Sequence, residues 1–92
     1  MSASLKQATQ YLKTGNNAKV VEICKKVLAK RPDFNALRLM GLALFKENQI
    51  RDSLAIYELA EKMHPNHPDL TLDKVDTMMR LAESADYKSF TQ

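Results

Sequence analysis

Few side chains in this 92-residue sequence could carry chemistry, and none stands at the spacing that a reaction needs. His64 and His67 lie three apart, but Pro65 and Pro68 hold them in a loop and no cysteine cluster accompanies them. A zinc ion wants further ligands, so both histidines read as loop or helix-end residues and no metal is expected. Cys24 is the single cysteine, which excludes an intrachain disulfide, and it keeps helical spacing with Val20, Val21, Val27 and Leu28. A thiol in such a stripe behaves as a small buried hydrophobe rather than a nucleophile. Asp73 and Asp76 fall on a polar helix face, where solvation accounts for them. The chain has no glycine-rich phosphate loop, no nucleophile elbow and no Cys-x-x-Cys pair. Neither enzymatic activity nor a cofactor is expected.

Composition points the same way. Apolar content of 45% with 27% charged residues is that of a soluble globular protein, and the length allows one small domain. Two glycines and three prolines among abundant Leu, Ala, Lys and Glu favour helix. A net charge of +3 is too mild to imply nucleic acid. Lys25, Lys26, Lys30 and Arg31 are locally dense, yet no aromatic residues interleave them as a base-stacking platform requires. They read as a solvated helix face, with the last two near a helix C-terminus. No run is long enough to span a membrane and the first twenty residues lack a signal-peptide pattern, so a cytoplasmic location is expected.

The elements come from an internal rhythm. Shifted by 33 positions, Ala8 falls on Gly41, Tyr11 on Leu44, Lys13 on Lys46, Cys24 on Tyr57, Val27 on Ala60 and Pro32 on Pro65. A period in this range marks a helical unit that buries its apolar face only by stacking on a neighbour. Three-and-four spacing predicts helices over 5–13, 18–30, 35–46, 51–63 and 69–82, with Ser4 and Gln7 as a possible capping box and Asp69 as an N-cap. Gly15-Asn16-Asn17 and Glu47-Asn48-Gln49 supply the turns, and Pro32 and Pro65 end the second and fourth helices. Helix four is expected to bury Leu54, Ile56 or Tyr57, Leu59 and Ala60. The last helix is more polar, with Leu72, Val75, Met78 and Met79 expected inward as on an end cap. Ala85-Asp86-Tyr87 resembles a turn, so residues 84–92 are a tail or the start of a further helix.

These pairs resemble the tetratricopeptide repeat, a helix–turn–helix of about 34 residues with recurring small, aromatic and proline positions. Ala8, Tyr11, Gly15, Val20, Cys24, Val27 and Pro32 carry the likeness in the first unit. Leu37, Met40, Gly41, Leu44, Ser53, Tyr57, Ala60 and Pro65 carry it in the second. Ser4 stands where the family often has a large aromatic, Val20 and Ser53 replace an alanine, and the loop after Pro32 is one residue short. The resemblance implies an all-α, right-handed superhelix of two such repeats, about 1–33 and 34–66, with a capping helix over 69–82, all within a domain spanning 1–83. Ala8 and Gly41 would let paired helices approach closely, with Cys24 and Tyr57 in the holes opposite.

In this family the first helix of each unit lines a concave groove that takes peptides or helices of partner proteins. By position the groove would hold Leu5, Thr9, Leu12 and Lys13, then Arg38, Leu42, Phe45 and Lys46, then Leu72, Asp76, Met79 and Arg80. Leu12-Lys13, Phe45-Lys46 and Met79-Arg80 form a ladder of apolar groups each followed by a cation, suited to an amphipathic and acidic partner. The same residues also have an ordinary reading, as helix packing and dipole-favoured cations at helix ends. A subfamily that clamps acidic chaperone tails uses Lys and Asn where this chain has Leu5, Thr9, Leu39, Asp69 and Asp73, so that role is not expected. The implied function is a protein–protein interaction module, an adaptor or scaffold, with no nucleic-acid or membrane partner. The alternative is self-assembly into a homo-oligomer or within a larger complex, burying Leu81, Tyr87 and Phe90.

Overall fold

A computed structural model describes the backbone of residues 3–91 and the side chains of residues 3–84. The chain is all-helical among the described residues: α1 Ala3–Lys13, α2 Asn17–Lys30, α3 Phe34–Lys46, α4 Ile50–Met63 and α5 Pro68–Thr91. The bounds of α4 are those of α2 moved by 33 residues, and α1 and α3 end in the same relation.

The turns repeat bond for bond. After α1, Gly15 N–H donates to Leu12 C=O and Asn16 N–H to Tyr11 C=O; after α3, Asn48 N–H donates to Phe45 C=O and Gln49 N–H to Leu44 C=O. These paired bonds satisfy carbonyls that a helix end otherwise leaves open, and they require a left-handed residue at their centre. Gly15 (φ +83°) and Asn48 (φ +62°) fill that position. The following helices start from capping residues. The Asn16 side chain accepts from Lys19 N–H, and that of Asp33 accepts from Ala36 N–H at 3.0 Å.

Packing follows from small residues at set places. Leu5, Ala8, Val20, Cys24, Ala36 and Ala43 form one buried cluster, and Leu37, Tyr57, Ala60 and Leu70 form a second, with Leu28 packed on both. Gly41 is buried against the Tyr57 ring, where a side chain would collide with ring carbons Cδ1 and Cζ at 2.7 and 2.9 Å. The expected close approach of α3 and α4 therefore exists, and the absent Cβ is what permits it. Ser53, one of the departures from the repeat pattern, is fully buried and donates its hydroxyl to Gly41 C=O at 2.7 Å. That bond ties α4 to α3 at the level of the glycine. Consecutive helices pack pairwise, and in addition α1 touches α3 and α3 touches α5, whereas α2 and α4 make no close backbone approach.

The last helix departs from expectation. It buries Leu70 and Thr77, with Asp73 and Lys74 half-buried beside them, and leaves Leu72, Val75, Met78 and Met79 exposed. Its start explains the difference. His67, not Asp69, caps the helix: its Nδ1 accepts from Leu70 N–H and its C=O from Thr71 N–H, with Pro68 in the first turn. Equivalent bonds link Asp33 to Ala36 and Leu37, so α5 follows α3 by 34 residues rather than 33. At that offset Leu70 and Thr77 match the buried Ala36 and Ala43, whereas Val75 and Met78 match Gly41 and Leu44, which are buried on α3. Thr77 tolerates burial because its hydroxyl donates back to Asp73 C=O at 2.8 Å. Leu59 is likewise exposed rather than buried, while Tyr57 occupies the core and Ile56 its edge. Ser4 lies within α1 rather than capping it, and α5 continues through 85–87 without a turn.

Candidate functional site

Each odd-numbered helix ends its body with a cation or carries one near its last contact: Lys13 on α1, Lys46 on α3 and Arg80 on α5. Lys13 and Lys46 are exposed in final turns, where the partial negative charge of the helix terminus favours them. Arg80 lies over the Phe45 ring, 5.0 Å from its centroid, so a cation and an aromatic face from neighbouring units form one composite feature. Leu12 and Leu42 are half-buried on the same series of helices, as is Thr9, which donates to Leu5 C=O at 2.9 Å.

Several of the expected groove residues are buried or already paired. Leu5 is 1% exposed and belongs to the first core cluster. Arg38 is engaged across the helix boundary: Nε and Nη2 both donate to Asp73 Oδ2, at 3.3 and 3.2 Å. Asp73, expected on a solvated face, is thus half-buried in an ion pair that joins α3 to α5. Leu72 and Met79 lie on the opposite side of α5 from Leu70 and Thr77, at the 3.6-residue helical repeat. Both are exposed, and at the 34-residue offset they match Arg38 and Phe45. Asp76 is exposed on the same helix. Arg80 and Phe45 meet across helices, while Thr9, Leu12 and Leu42 are half-buried and Lys13 and Lys46 exposed on α1 and α3.

A second concavity was not foreseen. Between α2 and α4 runs a trough floored by Leu37, Met40 and Leu44 of α3 and walled by Val21, Leu28 and Ile56 among others. Its two segments measure about 650 and 490 Å³ and share Lys25, Met40 and Ile56. The assignment of Leu59 to the core hid it, since Leu59 and Met63 form one wall instead. At one end Asn17 donates Nδ2 to Glu47 Oε1 at 3.1 Å, joining the two turns.

The remaining reactive groups are structural. Burial, with Asp33 nearby, pushes the Cys24 thiol up to about 11, which keeps it protonated and unreactive. Burial, with a contribution from Asp73, likewise raises the Tyr57 phenol well above its ordinary range. His64 and His67 both pack on Phe34, with ring centroids at 4.7 and 4.9 Å, and clasp the start of α3 to the α4–α5 junction. Among the described residues no group of three or more His, Cys, Asp and Glu could hold a metal ion, and no helix is long and apolar enough to cross a membrane. Comparison with family models, with curated proteins and with solved structures finds no match to this chain.

Proposed function

We propose that the chain is a protein–protein interaction module of tetratricopeptide type, its odd-numbered helices forming a groove for an acidic, partly apolar segment of a partner. The observation that carries this reading is the Arg80–Phe45 contact between α5 and α3, with Lys13 and Lys46 in the matching last turns of α1 and α3. A partner carboxylate near Arg80 gains a cation already ordered by the ring, and Leu42 and Phe45 offer partly exposed apolar surface between the charges. Bond-for-bond repetition of the turns, the Gly41–Tyr57 approach and the contacts of α1 with α3 and α3 with α5 support a superhelical stack. Cytoplasmic residence is part of the same proposal.

Selection from a random peptide library tests it. Enriched sequences are expected to combine acidic and apolar residues and to lose affinity about tenfold or more when Leu42 and Phe45 are both alanine, with helical content retained. Enrichment without acidic residues, or affinity unchanged in that variant, refutes the groove.

A further inference from the structure

The two ends of the stack are finished differently. In the second unit Leu39 packs on the first-unit core, and Leu59 and Met63 face α2 across the trough. Thirty-three residues earlier the same positions are Lys6, Lys26 and Lys30, all exposed. Lysines thus close the N-terminal end with side chains that resist burial.

The outer face of α5 lacks such a finish. On α3 the residues that receive α4 include Leu37, Gly41 and Leu44. At the 34-residue offset fixed by the capping bonds, α5 has Thr71, Val75 and Met78 in their place. Val75 is 44% and Met78 50% exposed, and Leu72 and Met79 beside them are 66% and 57% exposed. A cluster of this kind on one helix face marks a contact surface rather than scattered surface residues. Leu81 lines a hollow with Arg51 at the start of α4.

Charge identifies the kind of occupant. Asp69, Asp76 and Glu83 recur every seven residues along one edge of the apolar strip, and all three are exposed. None of them joins an ion pair among the described residues. A second α5 laid antiparallel would set two acidic rows against each other, which disfavours a symmetric pair. We propose that the outer face of α5 docks a partner helix whose apolar ridge is flanked by a row of lysine or arginine. The partner takes the place on α5 that α4 takes on α3. Because Val75 stands where Gly41 admits Tyr57, the docked helix must present a small residue at that level rather than a ring. This surface adjoins the groove along Leu72, Asp76 and Met79, but its centre at Val75 and Met78 does not depend on Leu42 and Phe45.

The probes are two synthetic three-heptad helical peptides with one leucine ridge and a central alanine, flanked either by lysine or by glutamate. The lysine peptide is expected to bind the full chain about tenfold more tightly at low salt, with the advantage shrinking at high salt. Asp76→Lys with Glu83→Lys should reverse the order, and Val75→Asp should abolish binding while circular dichroism and the thermal transition stay unchanged. Leu42→Ala with Phe45→Ala should leave this binding intact, which separates it from the groove reading. Equal binding of the two peptides, or binding that survives Val75→Asp, overturns the proposal. Sedimentation velocity of the chain alone supplies the remaining outcome: self-association abolished by Val75→Asp would make the occupant a second copy and also overturn it.

Discussion

Replacing Gly41 with alanine tests the helix interface at its tightest point. The new methyl would meet Cδ1 and Cζ of Tyr57 at 2.7 and 2.9 Å, and the ring is 1% exposed. It has no free direction in which to move. Forcing a methyl into such a packed site costs about 3 kcal/mol, and the better helix propensity of alanine returns about 1 kcal/mol. The net loss of roughly 2 kcal/mol would lower the melting temperature by about 8–16 °C for a domain of this size. Thermal denaturation followed by circular dichroism reads that shift directly. A double-mutant cycle with Tyr57→Leu locates its source, because a smaller side chain opposite should recover most of the cost of Gly41→Ala. Gly15→Ala is the control. It has open space around it and a φ of +83°, so only the left-handed backbone penalises it, by about 1 kcal/mol. If Gly41→Ala matched or exceeded the parent stability, the close approach of α3 and α4 would be refuted.

Two further outcomes follow from the same core. Ser53→Ala removes the donor to Gly41 C=O and should cost about 1 kcal/mol in urea unfolding; an unchanged midpoint would mean that this carbonyl needs no second bond. Stability should also fall in alkali. An unfolded chain releases its thiol proton near 9.0 and its phenol proton near 10.0, while folded Cys24 holds its proton to about 11 and folded Tyr57 longer still. With more protons bound to the folded state, the urea midpoint drops as pH climbs from 9 toward 11, and Cys24→Ala flattens part of that slope. A flat profile in the parent chain would contradict the burial of both groups.

Helix positions were legible because the boundaries of α2, α3 and α4 are written locally. Gly15 and Asn48 adopt the left-handed turn that their types favour, and Pro32 and Pro65 stand just beyond α2 and α4. Apolar spacing within 18–30 and 35–46 likewise pointed to the faces that became buried. The inward face of α5 was not legible, since Leu72, Val75, Met78 and Met79 carry the stronger apolar signal yet face outward. A hydrophobic pattern shows that a face is to be covered; it does not show which neighbour covers it. Thr77 hides its polarity in a bond to its own helix, and the cap at His67 is a histidine where Asp69 carried the local signal. Within the expected groove, the pairing of Arg38 with Asp73, a residue 35 positions away, is specified by no local pattern.

Because the first helices of successive units touch while α2 and α4 stand apart, the molecule is a wedge pivoting on its narrow edge. A small rotation about that edge is magnified across the trough, so squeezing one side spreads the other. Probes on Lys25 and Leu59, on facing banks of that gap, would therefore act as a strain gauge for whatever grips the opposite side.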